Sequence, residues 1–411
     1  MLITDGANEV WITGVGLVSS LGEDASAHVA RLSSCSGDLP VVDERRYEPY
    51  SIHPLAPLDY SNQIPKKSDQ RQMEPWQRIG VYAAGLALAD AGVARKPALL
   101  DRTDLVVAAG SGERDTKVDC DVLDRLEGRD DTALLAKEVL PSALRPTLFL
   151  AQLSNMLAGN ISIVHNVTGS SRTFMGEEMA GLAAVENAYR RIAAGQAKLV
   201  LVGGALNAER EDLLLGYEIG HNLWRGPYRP VWDRREGGGG FIAGSVGAFL
   251  VLEARAHAEA RGASAYARVA GVVTDRTNRA PGEAARALTR LFDRLGTEMP
   301  AQTLPVLSGA SGVEPVTGEE IAFFDKLSAR GIAPVVRAYG NMLGHSVEAH
   351  FPAGLAMAAL AVRHGILPGP LGSSLVERPF SGLVERALVT SLGHWRGEGV
   401  ALVEAVVRER R

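Results

Sequence analysis

Apolar and polar positions fall into blocks whose lengths and periods separate strands from helices. Residues 10–14 (VWITG), 104–110 (DLVVAAG) and 198–202 (KLVLV) are short apolar runs bounded by or ending in glycine, which predicts an apolar strand, a buried strand and a strand buried on both faces. Residues 76–91 (WQRIGVYAAGLALADA) carry apolar residues at helical spacing and stop at Gly92, which predicts an amphipathic helix. Residues 177–194 predict another, with Met179, Leu182, Ala183, Val185, Ala188, Ile192 and Ala193 on its apolar side and Gly195 as its stop. The stretch 155–204 therefore reads as a strand at 171–175, a sharp turn at Gly176, a helix and a buried strand. That is a βαβ unit, and the turn after its first strand is where chemistry tends to gather. The second half of the chain predicts a strand at 303–308, a helix at 319–330, a loop at 339–345, a helix at 352–364, a strand at 386–391 and a last strand at 400–407. Strands and helices alternate in similar order in both halves, without a sequence repeat.

Composition narrows the class. A chain of 411 residues can bury a large core, and 46% hydrophobic with 22% charged residues is ordinary for a globular protein. A net charge of -5 gives no reason to expect nucleic-acid binding. No apolar run is long enough to span a bilayer, and the start MLITDGANEV lacks a basic n-region and an apolar core, so a cytoplasmic protein is expected. With Cys35 and Cys120 as the only cysteines, neither a disulfide framework nor a cysteine metal site is expected. Four consecutive glycines at 237–240 read as a turn before a strand, and residues 35–66 as an irregular surface segment.

Several separated segments resemble the β-ketoacyl-acyl-carrier-protein synthases of the thiolase fold. The opening resembles that family's Gly-x-Gly-x-Val-Ser-x-Leu-Gly, the segment Gly110-Ser111-Gly112 its Gly-Ser-Gly, and residues 230–253 its Pro-Phe-Asp … Leu-Val-Leu-Glu stretch. NMLAG at 155–159 and LVGGA at 201–205 fix the register of the βαβ unit between them. The resemblance implies an α/β thiolase fold, two fused similar halves (1–253 and 254–411) in a five-layered αβαβα arrangement. It also implies no bound cofactor or metal, since the family's substrates ride on the phosphopantetheine of acyl carrier protein.

The same register puts Glu178 where the family has its nucleophilic cysteine. An acyl anhydride on a carboxylate would hydrolyse readily, so Glu178 is a poor acyl carrier. The position of the family's first histidine falls on Gly309, and its second on His345. Its Lys and the Glu paired with that Lys fall on Gly340 and Gly354, and removing both avoids a lone buried charge. The glycine-rich gate becomes Leu392-Gly393-His394-Trp395-Arg396-Gly397. Acids suit the first turn of any helix, so Glu177 and Glu178 read equally as complements to the helix dipole. Glu178 also reads as a mimic of a charged or acylated site, or as a plug. His394 beside Trp395 reads as packing.

The pattern resembles the cysteine-less chain-length-factor class. It implies a non-condensing partner that forms a heterodimer with a cysteine-bearing ketosynthase, with acyl carrier protein as a further partner and a homodimer as the alternative. Two other readings stay open: a malonyl-carrier-protein decarboxylase working through Glu178 and His345, and a docking scaffold for acyl carrier protein using Lys66, Lys67 and Arg71. Solvated surface charge explains those three cations as well.

Overall fold

The computed structural model describes residues 8–33, 40–127, 132–144, 146–296 and 303–406, so Cys35 lies outside the described residues. The strands are β1 Val10–Val18, β2 Ile52–His53, β3 Asp104–Ala109, β4 Ser171–Met175, β5 Leu199–Leu206, β6 Ala243–Gly244, β7 Val246–Ala254, β8 Ala267–Asp275, β9 Thr303–Ser308, β10 Ala333–Ala338, β11 Arg386–Leu392 and β12 Glu398–Glu404. Strands β2 and β6 form a separate two-stranded sheet, and the remaining ten form one mixed sheet in the order β10-β9-β11-β12-β8-β1-β7-β5-β3-β4.

The topology is duplicated. Leaving out the short β2–β6 pair, β1, β3, β4, β5 and β7 stand in the spatial order third-second-fourth-fifth-first, and β8 to β12 repeat that order. In each half the second strand runs parallel to both neighbours and the fourth and fifth are antiparallel. The halves meet where β1 pairs antiparallel with β8 over three residues, Val10 to Ile12.

Two helices form the middle layer. The helix Glu177–Ala193 touches β3 and β5 of the first half and β8 of the second, and the helix His350–His364 touches β7 and β1 as well as β11 and β12. A helix covered on all sides must be apolar all round, and residues 350–362 are all buried. The helices Pro75–Asp90 and Met156–His165 cover the outer face of the first half, and Glu283–Arg294 and Val316–Ala329 cover that of the second. Helix, sheet, helix pair, sheet, helix is the five-layered arrangement expected. Among the described residues no helix is long and apolar enough to cross a membrane.

Three local readings are refined. The predicted loop at 339–345 contains a helical turn, Gly340–Leu343. The helix expected from residue 352 begins at His350. The first of the four glycines ends a 3-10 turn, Val231–Gly237, and Gly238, Gly239 and Gly240 all take positive φ, a path other residues resist.

Candidate active site

Strand β4 ends at Met175, Gly176 turns the chain with φ 122°, and Glu177 opens the next helix at φ 48°. A non-glycine residue at positive φ is strained, and such strain persists only where surrounding structure enforces it. The elbow aims the Glu178 side chain inward, where it is 0% exposed. Its Oε1 accepts hydrogen bonds from His345 Nε2 at 2.9 Å, from His394 Nδ1 at 2.8 Å and from the His394 backbone N–H at 3.4 Å. Among the described residues its Oε2 has no partner. Burial opposes ionisation of this carboxyl, but the charge of His394 and the hydrogen bonds from both imidazoles outweigh it and hold Glu178 well below the usual carboxylate range. For His394, burial favours the neutral ring, and Glu178 and then Glu177 reverse that and raise its pKa.

Each imidazole is held by its own backbone. His345 follows Gly344, whose φ of 72° and close approach to the Gly244 backbone exclude a side chain. The His345 N–H donates to the Ile242 carbonyl at 2.8 Å, and Gly244 N–H donates back to the His345 carbonyl at 3.0 Å. The Phe241 ring lies 4.9 Å from that of His345, centroid to centroid, and Tyr217 packs edge-on against both Phe241 and His394.

His394 sits on the turn between β11 and β12, closed by Gly393 N–H to the Gly397 carbonyl at 2.7 Å. Arg279 clamps this turn from outside. Its Nε and Nη2 donate to the Gly393 carbonyl at 3.0 and 2.8 Å, Nη2 reaches the Gly397 carbonyl at 3.1 Å, and Nη1 pairs with Glu398 at 2.8 Å. Charge-assisted bonds to three successive points of one turn fix its shape.

The glycines at 309 and 354 both lie against Tyr339, and Gly309 also lies against the Thr390 carbonyl. A Cβ on Gly309 would lie 2.6 Å from Tyr339 Oη, and one on Gly354 would lie 2.6 Å from the Tyr339 ring. Tyr339 is buried, packs at a tilt against His350 with centroids 4.4 Å apart, and fills space beside both glycines. His350 donates from Nε2 to the Gly309 carbonyl at 3.2 Å. Burial first, and then the neighbouring His345, push His350 well below the ordinary imidazole value, so it is a neutral ring beside His345 at 4.3 Å.

The structure thus brings Glu178 and His345 together and adds His394, which sequence reading took for packing. Nothing in the sequence around His394 ties it to Glu178, which lies 216 positions earlier. Glu177, Glu178 and His394 also bring possible metal ligands within 4.8 Å of one another. In that set His394 Nδ1 and Glu178 Oε1 already spend their proton and lone pair on each other. Cys120 is exposed on the helix Thr116–Leu126 and takes no part.

Beyond the His394 turn lies a chamber of about 720 Å³, lined by Glu177, Glu348, Tyr217, Arg210, Asp212 and Trp395 among others. Glu348 is buried, and burial, then Glu178 and Glu177, push its carboxyl up to about 7. Near it Glu113, in the charged cluster 113–115, accepts from the Trp76 backbone N–H at 2.8 Å and is pushed up to about 7 by burial.

Residues 7–258 match the β-ketoacyl synthase N-terminal domain family. The chain belongs to the β-ketoacyl synthase family. Among curated relatives it is 28% identical to a 3-oxoacyl-[acyl-carrier-protein] synthase 2 from Vibrio harveyi, in a match covering 64% of this chain and 61% of that protein. Among solved structures, the ishigamide ketosynthase/chain length factor superposes with a TM-score of 0.78 at 22% identity, covering 97% of this chain and 99% of that one. A type II polyketide acyl-carrier protein in complex with its ketosynthase bound to the hexaketide superposes with a TM-score of 0.71 at 16% identity, covering 97% and 99%. These two likenesses carry the thiolase-type fold across nearly the whole chain.

Proposed function

We propose that this protein is the non-condensing, chain-length-factor-like partner of a cysteine-bearing ketosynthase in acyl-chain synthesis on acyl carrier protein. The observation that carries the reading is the Glu178 site itself. The elbow position holds a buried carboxylate tied to two imidazoles and covered by a clamped turn. It has neither a thiol to carry an acyl group nor an open approach. The chamber beside it presents the Glu177 and Glu348 carboxyls, and an apolar chain laid against them would strip them of solvent. Strand β4 ends the sheet with an unpaired edge, and Met175 on it and Ile163 on the neighbouring helix are large apolar side chains left exposed. An exposed edge of this kind invites pairing with another chain. The ketosynthase/chain length factor of similar fold gives the precedent for which chain that is.

One observation favours a second reading, a malonyl-carrier-protein decarboxylase. With Gly309 in place of the first histidine, one imidazole would face a developing enolate alone, yet His394 supplies a second from another element. Purified protein incubated with malonyl-carrier protein separates the two. The partner reading expects no acetyl-carrier protein above background. Turnover that falls at least about tenfold in both His345→Ala and His394→Ala would establish the decarboxylase instead.

A further inference from the structure

We propose that Arg234, with His53 beside it, binds a small monovalent anion of the halide class in the interior behind the four-glycine loop. The described residues bury two arginines, Arg234 at 2% exposure and Arg337 at 3%. Arg337 donates to the Pro368 and Val336 carbonyls at 2.5 and 2.7 Å, and the charge of Glu377 supports its own. Arg234 has no such relief. Its Nη1 donates to the Gly240 carbonyl at 2.9 Å, and its Nε is buried without a partner among the described residues. Burial lowers this guanidinium only to about 10, so it is charged at neutral pH. The group that would offset the charge is the Tyr228 phenol, and burial pushes that phenol up and keeps it neutral. A buried cation without a counter-charge is among the most costly arrangements a fold can hold.

The surroundings offer donors and no negative charge. His53, on β2, is fully buried, and neither ring nitrogen has a partner among the described residues. The Val41 and Met342 carbonyls lie near the ring without closing a hydrogen bond to it. Burial first, and then the Arg234 charge, push that imidazole down to about 3, so it is a neutral ring with one N–H still free to donate. Tyr228 stands edge-on to His53 at 5.9 Å, and its hydroxyl already donates to the Asn341 carbonyl at 3.0 Å. The loop amides are engaged as well. The N–H groups of Gly238, Gly239 and Gly240 donate to the Arg235, Arg234 and Gly312 carbonyls. The guanidinium and the imidazole N–H are therefore the donors. An ion entering so buried a place loses its water, and that cost grows steeply with charge, so a halide fits where a phosphate or a dicarboxylate does not. Bound there, it braces the loop that leads into Phe241, whose ring lies 4.9 Å from that of His345.

Halide binding is a property of the isolated chain, so it and the partner role stand or fall separately. The experiment follows thermal unfolding of the full chain while sodium gluconate is exchanged for sodium bromide at constant ionic strength. The wild-type midpoint should rise and saturate with bromide. Arg234→Met removes the buried charge and keeps most of the volume, so it should be at least as stable in gluconate and gain nothing from bromide. His53→Leu should need about tenfold more bromide for the same rise, the loss expected for one hydrogen bond to a charged group. Wild-type crystals grown in bromide should show an anomalous peak within hydrogen-bond reach of the Arg234 guanidinium, and this reading stands even where Arg234→Met does not fold. A wild-type midpoint indifferent to bromide overturns the proposal. So does an equal rise in Arg234→Met, an unshifted response in His53→Leu, or a water without anomalous signal beside the guanidinium.

Discussion

Removing the Glu178 carboxylate leaves His345 Nε2 and His394 Nδ1 buried with no acceptor, so the residue is as much a structural element as a chemical one. Breaking a buried pair by deleting one member typically lowers stability by about 3–5 kcal/mol. The pH dependence follows from the two shifts. The folded pKa of Glu178 lies below its unfolded value, so its contribution is present above about pH 4.3 and fades as the pH falls through the folded pKa. That of His394 lies above its unfolded value, so its contribution is complete below about pH 6.5 and fades as the pH rises through the folded pKa. Together they stabilise most between roughly pH 4.3 and 6.5. Urea unfolding of wild type and Glu178→Gln across that range should show the largest difference inside this window and a shrinking one on both sides. A difference that does not vary with pH would mean the carboxylate and the imidazole are not an ion pair.

At the scale of elements, the β11–β12 turn is the part that decides access. Arg279 holds it through the Gly393 and Gly397 carbonyls, and Met179 packs beneath Gly397. A thiol placed at the elbow by Glu178→Cys should therefore react slowly with iodoacetamide, and adding Arg279→Met should speed alkylation at least about tenfold, the effect of losing about 1.4 kcal/mol of closure. Equal rates would show that the turn does not control the site. Much of this level was legible in the sequence. NMLAG and LVGGA bracket the elbow at fixed spacing, so Glu178 was found by register alone, and His345 followed from the Gly-His pair at 344–345. His394 and Tyr339 were not legible, because their roles arise where separate elements meet. Tyr339 compensates glycines on two other segments, and only packing reveals that a gain at one position answers losses at two.

For the whole molecule, the duplicated strand order follows from the two alternating halves of the sequence, and the burial of residues 350–362 from their nearly continuous apolar run. The chamber beside the site was not legible, because residues from several separate segments line it. Glu348 falls between the predicted loop at 339–345 and the predicted helix at 352–364, where nothing in the sequence signals a cavity. The free edge of β4 is where the assembly question is decided. The measurement that reaches it most directly is the native mass of the tagged protein purified from its own cells, alongside Met175→Asp/Ile163→Asp. We expect a heterodimer with a cysteine-bearing ketosynthase paralogue, broken to monomer by the double substitution. A homodimer alone, or a heterodimer indifferent to both changes, would contradict the partner role.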